Sequence, residues 1–245
     1  MKKMIIGILV SMSVASSVIA ITPQEILEKI DRSRAPANTF TCKLKVESLK
    51  EDSTSKVELL IRVKDAKKSL VVYQSPSSAK GRVLLMVEDN LWVYIPGTSN
   101  PIRISPQQQL MGQVSNADVA RVVYSLDYQG DSVATETLGN EKTLVLKLSA
   151  KTKGAAYKSI TLWVKPDSYL PLKAEFYALS GRRLKTAYYK EYKMILGALR
   201  PTLLEIHDAV QENSVTTLKY TDFTTDATPE AFYQKSYMER FSNQN

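Results

Sequence analysis

The sequence has a single cysteine, Cys42, and a single histidine, His207. One thiol excludes an internal disulfide, so stability must come from packing and hydrogen bonding. His207 shares a predicted strand face with Glu205, but a zinc site needs further imidazoles or thiolates. A Ser-His-Asp triad would also need His207, and no Gly-x-Ser-x-Gly motif is present. We therefore expect no catalytic residue and no metal site.

Glycine-rich phosphate-binding motifs are also missing. The nine glycines of the chain lie mostly at predicted turns, so the usual marker of nucleotide binding is absent and we expect no cofactor. Paired carboxylates for glycoside hydrolysis stay open, because their partnership is spatial and leaves no motif. The sequence favours a non-enzymatic protein.

No apolar run is long enough to span a bilayer as a helix. The N-terminus instead reads as a signal peptide over residues 1–20, with basic Lys2 and Lys3, the short apolar run Ile5–Val14 and the cleavage site Val18–Ala20. No cysteine follows that site to accept a lipid. We expect residues 21–245 to be one domain exported to the periplasm.

The net charge is positive, and the basic residues that produce it are not clustered. The formal charge is +8, and removal of Lys2 and Lys3 leaves +6. Lysines and arginines are scattered over predicted strands, which disfavours nucleic acid as a partner and favours a solvated sheet face. Transient contact with a membrane surface is a weaker expectation.

Most of the chain shows the two-residue period of half-buried strands. The turn at 88–90 and the Ser180-Gly181 pair punctuate the pattern. Trp92 and Tyr94 fall opposite Val93, where they either pack beneath a helix or contact a partner at a rim. The apolar sides of the first two strands are formed by Phe40, Cys42, Leu44, Val46, Val57, Leu59, Ile61 and Val63.

Three segments carry helix signals. Thr22 to Glu25 forms a capping box with proline at the first helical position. Ser115 and Asp118 give a similar signal for a middle helix, and Thr228-Pro229-Glu230 opens a last helix that carries Phe232, Tyr233, Tyr237 and Phe241. The prediction is a mainly β fold of about 10–11 antiparallel strands with a few helices, strongly curved because a sheet of that size must curl.

Other motifs do not follow from alternation. They are Asp89–Pro96 with Pro101–Ile104 after it, Leu162–Lys165 with Tyr169–Tyr177, and Arg200-Pro201 through Asp208. The first resembles the Gly/Asp-x-x-Leu-Trp-x-Tyr-x-Pro segment of the LolA-like outer-membrane lipoprotein-sorting proteins. The others resemble a larger subgroup of that superfamily, described only as uncharacterised or sorting-like.

The resemblance implies an incomplete antiparallel β-barrel with helices over its concave side and a hydrophobic cavity between them. It also implies a carrier that takes acyl chains of a lipoprotein or other lipid from an inner-membrane transporter to an outer-membrane acceptor. In such carriers an arginine latches the lid helices, but the sequence does not assign it to a residue. An envelope interaction or stress-sensing module, which recognises a lipoprotein or protein partner without carrying lipid, is the alternative.

Alternation and the resemblance together predict the site. Whether the concave face is a cavity or a filled core stays open at this point. The expected cavity lining is Phe40, Leu44, Val46, Leu59, Ile61, Val63, Leu85 and Val93, and the expected plug helix carries Leu110, Met111, Val119, Val122 and Val123.

Overall fold

The computed structural model describes residues 21–35, 37–51, 53–120, 123–211, 213–225 and 228–243. The predicted signal peptide and Val122 of the predicted plug lie outside the described residues. Helix α1 spans Pro23–Arg34 and begins as the sequence predicts. Thr22 accepts a hydrogen bond from the Glu25 amide, and the Glu25 carboxylate accepts one from the Thr22 amide at 2.7 Å.

Antiparallel strands make up most of the described chain. The first six strands are β1 Thr39–Lys50, β2 Ser53–Lys64, β3 Lys68–Ser75, β4 Val83–Val87, β5 Asn90–Tyr94 and β6 Ile102–Ile104. A small hairpin of β7 Gln109–Met111 and β8 Val114–Ser115 follows, and then helix α2 Asn116–Ala120. The second half contains β9 Tyr128–Leu138, β10 Glu141–Ala150, β11 Ser159–Val164, β12 Pro171–Tyr177, β13 Arg183–Ile195, β14 Ala198–Asp208 and β15 Ser214–Thr224.

Thirteen of these strands form one sheet, in the order β6-β5-β4-β3-β2-β1-β15-β14-β13-β12-β11-β10-β9. The chain ends join in the middle of the sheet, where β1 pairs with β15. Among the described residues β6 and β9 do not pair with each other, so the large sheet stays open as an incomplete curved barrel. The predicted fold class is confirmed, with more strands than the 10–11 expected.

The edge strand β9 accounts for part of the difference in strand number. Its side chains are mostly exposed on both sides, so it lacks the apolar alternation that marks a half-buried strand. Polar edges of this kind protect a sheet from pairing with other chains. Gly130 lets α1 approach, since a Cβ there would lie 2.6 Å from Cβ of Pro23.

Two hydrophobic clusters lie on opposite faces of the sheet. The larger one contains the apolar side of β1 and β2 together with Ile26, Leu27 and Ile30 of α1 and Val119 of α2. All predicted lining residues belong to it except Leu85. The assignment of Leu85 to this face is wrong, because its cross-strand partner is Trp92 and it belongs to the smaller cluster.

The smaller cluster is covered by the C-terminal segment. The single helix expected there is wrong: two 3₁₀ turns, Glu230–Tyr233 and Lys235–Tyr237, precede the short helix α3, Met238–Asn243. Trp92 and Tyr94 pack beneath this segment, which confirms the packing alternative for them. The Nζ atom of Lys235 lies 5.4 Å from the Trp92 ring centre.

The predicted plug is also not one helix. Leu110 and Met111 lie in the β7–β8 hairpin and are half-buried against the larger cluster. Val119 lies in α2 and is fully buried, and Val123 is buried beyond the described end of α2. The plug is therefore a hairpin followed by a helical turn and a half, which we call the plug segment, Gln109–Ala120.

Candidate functional site

The concave face of the sheet is covered by α1 and the plug segment. Both elements place apolar side chains into the larger cluster, so most of the predicted cavity is occupied by protein. A narrow pocket borders this cluster near the end of α1, with a free volume of about 50 Å³. Since one water-sized group needs roughly 10–15 Å³, this space is too small for an acyl chain.

The pocket combines an apolar wall with polar groups. Of the predicted site residues, Phe40, Ile61 and Val119 line it, while Leu44, Val46, Leu59, Val63 and Val93 lie elsewhere in the same cluster. The other lining residues are Ser33, Arg34, Cys42, Asp118, Tyr189, Arg200, Pro201, Leu204, Tyr220 and Phe223.

Arg200 lies on the concave side of β14 and is only 2% exposed. Its Nε and Nη2 atoms donate hydrogen bonds to the backbone carbonyl of Ser33, at 3.2 and 3.0 Å. Carbonyl groups at a helix end lack intrahelical partners, so this contact ties the last turn of α1 to the sheet. The guanidinium carbon lies 4.6 Å from the Phe223 ring centre, and burial lowers the pKa of Arg200 to about 10.

Asp31 links α1 to the chain that follows α2. The backbone amides of Tyr124 and Ser125 each donate a hydrogen bond of 2.7 Å to its carboxylate. Burial raises the pKa of Asp31. Arg34 completes this corner, with its guanidinium carbon 3.7 Å from the Tyr124 ring centre.

The plug segment is held near its middle by Lys185 of β13, which is 3% exposed. Its ammonium group contacts the Asp118 carboxylate and donates to the Gln113 carbonyl at 2.9 Å. Asp118 also accepts hydrogen bonds from the Ser115 amide at 2.7 Å and from the Tyr157 hydroxyl at 2.9 Å. Burial lowers the pKa of Lys185 despite this carboxylate.

Gly112 at the tip of the β7–β8 hairpin allows the plug segment to touch the sheet. It has a φ of +52°, and a Cβ there would lie 2.2 Å from the hydroxyls of Ser48 and Thr216. The neighbouring Gln113 amide donates to Thr216 at 3.1 Å. The plug segment is thus attached by polar contacts at Gly112, Gln113 and Asp118 and by apolar contacts of the buried Val114 and Val119.

Sequence reasoning missed Arg200 and Lys185 as site residues. Both lie on the concave side of strands that also carry many exposed and half-buried residues. The only signal in the sequence is that each basic residue has the same strand parity as buried residues, as Arg200 has with Ile206. His207 is half-exposed, 3.8 Å from the Glu205 carboxylate. Over the described ranges, no three His, Cys, Asp or Glu side chains are placed to share a metal ion. The same residues contain no helix long and apolar enough to cross a membrane.

Comparison with known proteins places the fold in a family. A LolA superfamily protein from Nitrosomonas europaea is 35% identical and has a TM-score of 0.84, and the match covers 89% of this chain and 100% of that one. The chain belongs to the LolA superfamily. The resemblance read from the Asp89–Pro96 motif is confirmed. A family model described only as an uncharacterized protein matches residues 65–240 of this LolA superfamily member.

Two more distant structures share the fold of this LolA superfamily member. A DUF1329 family protein from Desulfovibrio piger is 20% identical with a TM-score of 0.77, covering 88% of this chain and 97% of its own. A putative outer membrane lipoprotein-sorting protein domain from Vibrio parahaemolyticus is 19% identical with a TM-score of 0.75, covering 89% and 100%. No curated protein matches the sequence.

Proposed function

We propose that this LolA superfamily protein is a non-enzymatic periplasmic carrier that binds acyl chains of a lipoprotein or another lipid on its concave face. The observation that carries the proposal is how that face is covered. Apolar side chains of β1 and β2 are buried under α1 and the plug segment, and the plug segment is attached by polar contacts at Lys185 and Gly112. A covering of this kind can be exchanged for a lipid.

The energetics favour such an exchange. Burying a methylene group of an acyl chain contributes about 0.8 kcal/mol. Displacing Val119 and Met111 from the same surface costs apolar contacts of similar kind, so the two terms offset each other. A carrier that works without an energy source in the periplasm needs this near-balance, because it must both accept and release its cargo.

Arg200 is suited to the role of the latch. It holds the end of α1 through the Ser33 carbonyl, which is the kind of contact that the resemblance assigns to an arginine in the carriers. Opening would break this contact along with those at Lys185. We propose delivery from an inner-membrane transporter to an outer-membrane acceptor, with export by the predicted signal peptide.

The filled core supports a second candidate. A free volume of about 50 Å³ suits an envelope interaction or stress-sensing module that recognises a lipoprotein or protein partner without carrying lipid. The two candidates differ in whether the covering ever leaves the concave face.

Native mass spectrometry of the protein purified from its own periplasm tests the carrier. We expect a co-purifying lipid mass that disappears on delipidation and returns on incubation with an extract of the same envelope. A matched pair of variants locates the site: Ile61→Asp should abolish reloading, whereas a charge at exposed Leu179 should not. A lipid-free mass together with no reloading would overturn the carrier and leave the interaction module.

A further inference from the structure

The pocket beside α1 has more positive than negative charge. The charged residues that line it are the cations Arg34 and Arg200 and the acid Asp118. Two more buried charges act on this lining from behind it: Lys185 contacts Asp118, and Asp31 acts on Arg34. Asp118 is paired with Lys185. Burial acts to lower the pKa of Arg34, but Tyr124, Tyr189 and Asp31 together raise it. Arg200 is left without an acid among the described residues.

Other ionisable groups near Arg200 do not balance its charge. Burial raises the pKa of Cys42 to about 12 and raises that of Tyr220, so both are neutral at pH 7. Arg34, the remaining group that acts on Arg200, has the same charge. A buried charge without a partner is costly, so an anion at this position would be stabilised.

Free hydrogen-bond donors point to the same conclusion. The Ser33 carbonyl uses Nε and Nη2 of Arg200, but Nη1 is buried and has no partner among the described residues. Nη1 of Arg34 is buried and unpartnered in the same way. Paired guanidinium donors are the preferred ligands of carboxylate and phosphate groups.

We propose that Arg34 and Arg200 bind the anionic headgroup of an amphiphile, while its tail takes the place of the plug segment along the concave face. The inference rests on the proposed carrier function and specifies its cargo as carrying a carboxylate or a phosphate. The free space suits this division, because about 50 Å³ admits a few water-sized groups of roughly 10–15 Å³ each but no tail.

Phe40, Ile61 and Val119 line the apolar side of the pocket, next to the two guanidinium groups. A headgroup held by Arg34 and Arg200 would therefore begin its tail on the surface that the larger cluster continues. The polar end fixes the position of the amphiphile and the apolar face supplies most of its affinity.

The test compares ligands with the same tail. Oleate, methyl oleate and oleoyl lysophosphatidylglycerol are titrated against the full mature chain, below their micelle concentrations, by displacement of the neutral dye N-phenyl-1-naphthylamine. Because hydrogen bonds to charged groups contribute about 1.5–3 kcal/mol, we expect oleate to bind about tenfold to hundredfold more tightly than methyl oleate. Tighter binding of oleate would identify the headgroup of the cargo as a carboxylate, and tighter binding of the lysophospholipid would identify it as a phosphate.

Variants then assign the preference to the two arginines. Arg34→Gln should weaken oleate binding about tenfold or more and leave methyl oleate binding unchanged. In Arg200→Gln, which also releases the contact to Ser33, oleate should lose its advantage over methyl oleate whatever happens to the affinity that the two ligands share. Arg32→Gln, on the exposed side of the same helical turn, is the matched control and should change neither. If Arg200→Gln loosens α1, both ligands respond together, and Arg34→Gln still tests the headgroup.

The outcomes separate this inference from the carrier. Equal affinity of the wild-type protein for oleate and methyl oleate would overturn the headgroup site while leaving lipid carriage intact. An unchanged preference for oleate in both arginine variants would overturn it as well. Binding of none of the three lipids would refute the carrier and the headgroup site together.

Discussion

The substitution Lys185→Met removes the cation that holds the plug segment to β13. Methionine keeps the length and the apolar stem of the side chain, which lies over Tyr157 and Phe176 with Nζ 4.9 and 5.1 Å from their ring centres. It leaves the half-buried Asp118 and the Gln113 carbonyl without that donor. Removing one partner of a buried ion pair costs about 3–5 kcal/mol.

The loss of this ion pair lowers the free energy of every opening that separates Lys185 from Asp118, whether local or global. A domain is stable by about 5–15 kcal/mol in total, and opening of the plug segment alone requires only part of that. We expect the population of the open plug segment to rise about a hundredfold to a few thousandfold. Strands β1 and β2, which form 12 ladder pairs from Thr39 to Lys64, should stay closed.

Hydrogen–deuterium exchange measured by mass spectrometry reads out both regions. Exchange in residues 109–120 should accelerate strongly in Lys185→Met, while peptides from β1 and β2 change little. Lys190→Met on the same strand is the control, since its pair with Glu205 is exposed and such pairs contribute at most about 1 kcal/mol.

A double variant completes the experiment. Adding Asp118→Asn to Lys185→Met removes the buried unpaired charge, so part of the lost protection should return. The reasoning is refuted if residues 109–120 exchange at the wild-type rate in Lys185→Met, or if the double variant opens as much as the sum of the two single changes.

Three further predictions concern other surfaces. Leu85→Ala should lower the free energy of unfolding by about 2–5 kcal/mol in a denaturant titration. It should not change lipid binding, because the side chain faces the C-terminal segment. Reduced lipid binding under conditions where the variant is fully folded would contradict this. Hydrogen bonds from Lys64 and Lys68 lower the pKa of Glu230 to about 2, so the carboxylate stabilises the folded state above its unfolded pKa near 4.5 and loses this effect as pH falls towards 2. The protection factors of the C-terminal segment, which correct for the intrinsic pH dependence of amide exchange, should fall over that pH range in the wild type and stay constant in Glu230→Gln. The β13–β14 hairpin exposes Leu199 and, at 70%, Met194. Leu199→Asp should reduce flotation with phosphatidylglycerol vesicles, whereas Leu179→Asp at another exposed turn should not. Equal flotation of the two variants would exclude membrane contact by this hairpin.

The sequence predicts the buried face of a strand well where the other face is exposed to solvent. In β1, Phe40 and Leu44 alternate with exposed Lys43 and Lys45, so the period identifies the buried side. Strand β4 is buried on both faces, as its run of buried residues from Val83 to Met86 shows, so no period marks its sides. This is why the face of Leu85 could not be predicted.

The polar part of the site was beyond sequence reasoning for a different reason. Arginine and lysine are usually exposed, so nothing in the sequence separated Arg200 from the many solvated basic residues. Its buried donors are met by the Ser33 carbonyl, which is remote in sequence and adjacent because α1 packs against β14. The plug segment was predicted as a helix because Val119 and its neighbours have helical spacing, whereas Gly112 and the contacts to Thr216 favour a hairpin before it.

Cys42 gives the protein a built-in chemical reporter. It is the only thiol in the chain, it lies in the wall of the pocket beside Arg200, and it is 2% exposed. Burial raises its pKa to about 12, so in the closed state it is both shielded from reagents and almost entirely protonated. Modification of an unaltered sample by a small alkylating agent therefore proceeds only through molecules whose covering has moved, and its rate measures how often the concave face is uncovered.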